Sequence, residues 1–242
     1  HSAADPVCDC GGGTVSDPPC RLYWEETLVT VPEGLTLNQV SLSIGGNSLF
    51  APLSLYVPPG QVTTIMGASG SGKSTLLSAI CGTLDPAFTL KGAIGLKGRD
   101  ITGLPPHTRR AGILFQDDLL FPHLSVADNL AFGLPVGLDR RERQDRIRAA
   151  LVDAGLEDFG ARNPATLSGG QRARIACLRA LLADPDALLL DEPFSKLDSQ
   201  LRDRFRQFVF DHASAQKLPV LLVTHDPEDA EKAKGTTIHL TL

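Results

Sequence analysis

Residues 67–74 concentrate the most specific chemistry in this sequence. Gly67-Ala68-Ser69-Gly70-Ser71-Gly72-Lys73-Ser74 matches the pattern G-x-x-x-x-G-K-[ST]. Gly70 and Gly72 allow a tight curl that points backbone N–H groups at phosphate oxygens. A helix beginning at the motif would add its positive end. Lys73 is expected to reach the β and γ phosphates of a nucleotide and Ser74 to ligate Mg²⁺, with Thr75 following inside the same site. Phosphoryl transfer to water also needs a second metal contact and a base. Asp191-Glu192 ends an apolar run, 187–190, and supplies both expectations: Asp191 for Mg²⁺ and Glu192 to orient and deprotonate the attacking water.

These residues require particular elements beneath them. Val62–Met66 reads as a short strand feeding the glycine-rich loop, and 74–80 as the helix leaving it. Further strands are expected at 91–96, 112–115, 187–190 and 220–223. Helices are expected at 170–182 and 199–213. Runs such as Leu188-Leu189-Leu190 and Val220-Leu221-Leu222-Val223 lack alternation, which fits a parallel sheet covered on both faces. From 37 to 57 the pattern changes to short β-like runs, with a hairpin turn at Gly45-Gly46-Asn47-Ser48. Residues 124–163 form a mostly helical insert. Its segment 139–148 carries five Arg against three acids and reads as a solvated helical face.

The remaining motifs resemble those of the ATP-binding-cassette (ABC) ATPases. Leu167-Ser168-Gly169-Gly170-Gln171 is similar to the signature peptide of that family. Gln116 lies in Ile113-Leu114-Phe115-Gln116-Asp117-Asp118, like its glutamine loop. Ser195-Lys196-Leu197-Asp198 resembles its aspartate loop, and His225 in Val223-Thr224-His225-Asp226 its switch histidine. The marks fall in the family's order, 43 residues from Lys73 to Gln116, 52 to Ser168, 23 to Asp191 and 34 to His225. The resemblance covers about residues 35–242. It implies an α/β fold: a P-loop NTPase core with an antiparallel β subdomain and an inserted helical signature-motif subdomain at about 117–180.

The resemblance further implies ATP and Mg²⁺ as cofactors and two copies facing head to tail. Ser168, Gly169, Gly170 and Gln171 of one copy would then close on the nucleotide held by Lys73 of the other. Asp198 would cross that interface, Gln116 would sense metal and water, and His225 would contact the γ-phosphate and steady Glu192. Many relatives stack adenine on an aromatic 29 residues before the lysine. Here that position is Ile44, so an apolar base contact is expected, with Tyr23, Trp24 or Phe50 as substitutes that spacing does not choose between. Lys196 departs from the small residue often found at its site. It either adds an interface charge or faces water.

Composition bounds the biological role. The 242 residues carry 23 basic and 28 acidic side chains, a formal net charge of −5, and an apolar share of 42%. That is a folded globular protein, and the acidic balance does not favour a protein that grips nucleic acid by overall charge. No stretch approaches 18 uninterrupted apolar residues. The start, His1-Ser2-Ala3-Ala4-Asp5-Pro6, has neither the basic nor the apolar region of a signal peptide. A leader is expected over 1–34, with Cys8, Cys10 and Cys20 in a Gly/Pro-rich context. Cys81 and Cys177 read as buried free thiols of a reducing compartment.

The segments 121–130, from Phe121-Pro122-His123-Leu124 to Asn129-Leu130, and 167–174, Leu167 to Arg174, look like the solute-importer branch of the family. The expected partners are transmembrane permease subunits, a second nucleotide-binding subunit and a periplasmic solute-binding protein, with no nucleic acid. The expected location is the cytoplasmic face of the inner membrane, as a peripheral subunit. The other reading is a soluble cassette ATPase working as a conformational clamp in DNA repair or translation.

Overall fold

The computed structural model describes residues 33–240. The expectations for Cys8, Cys10, Cys20, Tyr23 and Trp24 lie outside the described residues. Two sheets organise the rest. The first is antiparallel and five-stranded. Its central strand β1 (Leu35–Ile44) pairs with β2 (Asn47–Ser48) and β3 (Leu53–Val57) on one edge and with β5 (Phe88–Leu96) on the other. A short β6 (Arg99–Asp100) extends β5 outward. The expected hairpin turns on Gly45 and Gly46, both at positive φ (56° and 85°), conformations that a side chain would oppose.

The second sheet has the order β10-β4-β9-β8-β7 and is parallel throughout. It comprises β4 (Val62–Met66), β7 (Ala111–Leu114), β8 (Ala187–Asp191), β9 (Val220–Val223) and β10 (Thr236–His239). Its apolar runs are buried because both faces are covered. Leu188, Leu190 and Leu222 join one core, and Leu189, Leu221 and Val223 the other. The second of these cores includes Leu76, Leu77 and Ile80 of helix α1 (Lys73–Cys81), packed with Leu35, Leu42 and Ile94 of the antiparallel sheet. A four-residue helix α2 (Pro106–Arg109) leads into β7.

Helices α3 (Val126–Gly133), α4 (Arg140–Asp153) and α5 (Gly169–Leu181) occupy the chain between β7 and β8, with 3₁₀ turns at Glu157–Phe159 and Pro164–Thr166. Asp139 caps α4 in a capping box with Glu142, so the basic helix begins at a defined residue. Its arginines are mostly exposed, as the charge run predicts, although Arg143 donates to the Ala131 carbonyl (2.8 Å) and Arg146 pairs with Asp184 (3.0 Å). Helices α6 (Ser199–Ala215) and α7 (Pro227–Ala233) complete the α/β layers. Cys81 and Cys177 are buried free thiols, and burial pushes the Cys177 thiol up to about 12.

Candidate nucleotide site

The carboxyl ends of β4 and β8, where a parallel sheet places ligands, open into a cavity of about 620 Å³. Gly67, Ser69, Gly70, Gly72, Lys73, Ser74 and Thr75 line one side, and Gln116, Asp191, Glu192 and His225 line the other. The structure thus gathers residues spread over more than 150 positions of sequence. Ala68, which is exposed, and Ser71, which is buried, are not among the lining residues. Lys73 Nζ donates to the Gly67 carbonyl (2.8 Å), the Ala68 carbonyl (2.7 Å) and Ser71 Oγ (3.4 Å).

The start of α1 is built to accept an anion. Its N-cap is Gly72 at φ +86°, with no side-chain cap on the first-turn N–H groups. Gly70 sits at φ +80° with nothing within 4 Å of a notional Cβ, so the loop is open on that side. Gly72 is tight on the other side, where a Cβ would meet the Phe50 ring at 3.2 Å. Phe50 is therefore buried beneath the loop and does not serve as a substitute for the base contact.

Asp191 is buried at the end of β8, and burial raises its pKa. The Ser74 hydroxyl and the Lys73 ammonium pull in the opposite direction. Glu192 follows with φ +51°, a left-handed conformation that is unfavourable for a non-glycine residue by about 1–2 kcal/mol. Its N–H donates to the Val223 carbonyl (2.9 Å) and its carbonyl accepts from Ser195 Oγ (2.9 Å). These bonds hold the strained turn and aim the carboxylate into the cavity. Glu192 Oε1 lies 2.7 Å from His225 Nδ1, and this contact raises the His225 pKa above the ordinary imidazole value.

The His225 loop is braced from α6. Asp229 is buried and accepts from Arg206 (2.7 Å) and from Thr224 Oγ1 (2.8 Å), the residue before His225. Asp226 caps α7 and pairs with Arg202 (3.0 Å). Sequence spacing assigned no role to these five residues. It also missed Phe88, Leu49 and Ser195, which line the cavity. Phe88 pairs with Ile44 across β1 and β5. Ile44 itself is 41% exposed at the cavity wall, so it is not a sheet-core residue.

Ser168, Gly169, Gly170, Gln171 and Asp198 are not among the residues lining this cavity. Ser168 caps α5 in a capping box: its Oγ accepts from the Gln171 N–H (3.2 Å) and Gln171 Oε1 accepts from the Ser168 N–H (2.9 Å). Asp198 caps α6 by accepting from the Leu201 N–H (3.0 Å). Lys196 is exposed, as one of its two expectations had it, yet it is also paired. Its ammonium donates to the Gln116 carbonyl (2.8 Å) and to Asp118 Oδ1 (3.3 Å).

A strand–glycine loop–helix with a lysine, facing an acidic strand end, defines a P-loop NTPase site, and a capped Ser-Gly-Gly-Gln helix start narrows the class to ATP-binding cassettes. The ABC transporter family model matches residues 50–195. The chain is 49% identical over 195 residues to the ABC transporter ATP-binding protein YnjD of Escherichia coli (strain K12), covering 81% of this chain and 90% of that one. It is 38% identical over 203 residues to the Fe(3+) ions import ATP-binding protein FbpC 1 of Rhizobium meliloti (strain 1021), covering 84% of this chain but only 57% of that longer one. A solved ATP-binding cassette, dimeric and in a post-hydrolysis state bound to ADP and Pi, superposes with a TM-score of 0.74 at 30% identity, over 86% of this chain and 94% of that one. This chain belongs to the ABC transporter ATP-binding family, and its activity is ATP hydrolysis.

Proposed function

We propose that this chain is the nucleotide-binding subunit of a multisubunit ABC importer, hydrolysing ATP to drive transport of a small solute. The observation that carries the reading is the single cavity in which the uncapped α1 start, Lys73, Asp191 and the Glu192–His225 pair converge. The phosphates of ATP fit the Gly67–Thr75 loop, held by backbone N–H groups and Lys73. The base fits against Ile44, Leu49 and Phe88, two aliphatic side chains and one aromatic ring. The oxygen donors of Ser74, Asp191 and Gln116 suit a magnesium ion, which neutralises phosphate charge when bound.

In the proposed reaction a water oxygen attacks the γ-phosphorus in line, the bond to the ADP oxygen breaks, and the water proton passes to Glu192. His225 orients the Glu192 carboxylate through the 2.7 Å contact. The import direction is supported by the iron-import relative and by the 121–130 segment, and neither favours the soluble-clamp reading. No helix among the described residues is long and apolar enough to cross a membrane. In the proposed importer the membrane path belongs to permease subunits. A groove lined by Leu119, Leu120, Pro122, Pro164 and Ala165 beside the glutamine loop suits a permease helix. The subunit would then sit at the cytoplasmic face of the inner membrane, with a periplasmic binding protein delivering the solute.

Glu192→Gln tests the reading. Turnover is expected to fall roughly 100-fold or more while ATP binding persists, because only the base is lost. Equilibrium binding of a fluorescent ATP analogue, run beside phosphate release, separates the two. Full turnover in the variant removes Glu192 from its role.

A further inference from the structure

Asp118 lies two residues beyond Gln116 and accepts from two cations that come from different parts of the fold. Its Oδ1 accepts from Lys196 in the loop before α6 (3.3 Å), and its Oδ2 from Arg172 Nε in the first turn of α5 (3.2 Å). The carboxylate is mostly buried, with side-chain exposure of 10%, so the pairs are less screened than surface ion pairs. Each cation has a second attachment. Lys196 also donates to the Gln116 carbonyl at 2.8 Å, and Arg172 to the Leu167 carbonyl at 2.6 Å, just before Ser168. Arg179, two turns along α5, donates to the Leu119 carbonyl at 3.0 Å, and Leu119 is held at φ +44°. The loop after Gln116 is thus fastened to α5 at two heights.

The segment carrying Lys196 also packs directly on the α5 start. A Cβ on Gly170 would lie 2.9 Å from Leu197 Cδ2 and 3.0 Å from the Lys196 carbonyl, so glycine is what permits the approach. We propose that Asp118 is a positioning residue that latches three loops into one body: the glutamine loop at Gln116, the 195–198 loop, and the Ser168–Gln171 helix start. A displacement of Gln116 by nucleotide or by a permease is then carried to both segments proposed to meet the second copy. The inference rests on the functional reading above and adds a route by which the glutamine loop sets the geometry of the dimer face.

The test uses the Glu192→Gln chain, in which ATP-driven dimerisation is not reversed by turnover. Lys196→Met and Asp118→Asn are each expected to weaken the ATP-dependent dimer roughly fivefold, measured by sedimentation. The double variant is expected to be weaker than either single one by clearly less than the product of the two effects, because the Lys196–Asp118 contact is lost only once, and Lys196→Arg is expected to stay within about twofold of the parent, since its guanidinium retains both donors. Fluorescent ATP-analogue binding to the monomer is expected to be the same in all. Lys196 is more than one-third exposed and its replacement leaves the cores untouched, so folding does not decide the outcome. Effects that multiply in the double variant, or a failure of Lys196→Arg to retain affinity, overturn the latch. Variants that all dimerise like the parent overturn the latch alone. A parent that binds no ATP overturns the functional reading and the latch with it.

Discussion

Glu192 and His225 show how a backbone conformation and a side-chain contact combine at one point. The left-handed φ of Glu192 is held by Val223 and Ser195, and its carboxylate meets His225 at 2.7 Å. The hydrogen bond and charge of Glu192 favour the imidazolium, so the folded-state pKa of His225 is raised. A raised pKa means that the pair's contribution to stability is fully present below roughly pH 6.5 and is lost as pH rises through the folded value. Glu192→Gln is therefore expected to lower the His225 midpoint in an NMR titration toward the ordinary value, and to destabilise the fold more at pH 6 than at pH 9. An unshifted midpoint in the variant would show that the pair does not couple. The sequence named Glu192 because it follows an apolar strand beside Asp191, and His225 through the resemblance of its motif to the family's switch histidine. It gave no site role to Phe88, Ser195 or Thr224, whose importance comes only from cross-strand register or from a hydrogen bond to a motif residue.

At the scale of elements, the apolar runs were readable because a sheet covered on both faces buries every side chain of β8 and β9. The supports that join elements were not readable, because they pair residues distant in sequence and of ordinary type. Arg109 is an example. It is buried, and its guanidinium donates to the carbonyls of Ala79 (2.8 Å) and Ile80 (3.0 Å) at the end of α1, and to Leu104 (2.7 Å) and Thr102 (2.7 Å). It thereby satisfies the carbonyls at the end of the helix that begins at Lys73, next to Gly82, where a Cβ would strike the guanidinium at 2.6 Å. Arg109→Met keeps much of the side-chain volume and leaves those carbonyls unpaired. It is expected to destabilise the chain by about 3 kcal/mol or more, read from urea unfolding at neutral pH. A loss within the ±0.5 kcal/mol of an ordinary surface substitution would show that Arg109 does not carry the α1 end.

At the scale of the whole molecule, the cavity gathers the Gly67–Thr75 loop and the Glu192–His225 pair but not Ser168, Gly169, Gly170, Gln171 or Asp198. The α5 start spends its side-chain cap on Gln171 and Ser168 N–H groups, and the N–H groups of Gly169 and Gly170 remain at the open end of the helix. A second such helix start, outside the cavity of its own chain, is explained if it serves the site of another copy, as a head-to-tail dimer would arrange. Complementation decides this. A Lys73→Ala chain and a Ser168→Arg chain are each expected to be inactive alone, because every site in either homodimer carries a lesion. When the two are mixed, each heterodimer holds one site with both lesions and one site with neither. Random exchange makes half the dimers mixed, so phosphate release is expected to recover to about a quarter of the wild-type rate for independent sites. Sites completed within one chain would give no recovery at any mixing ratio, and that result would overturn the composite arrangement.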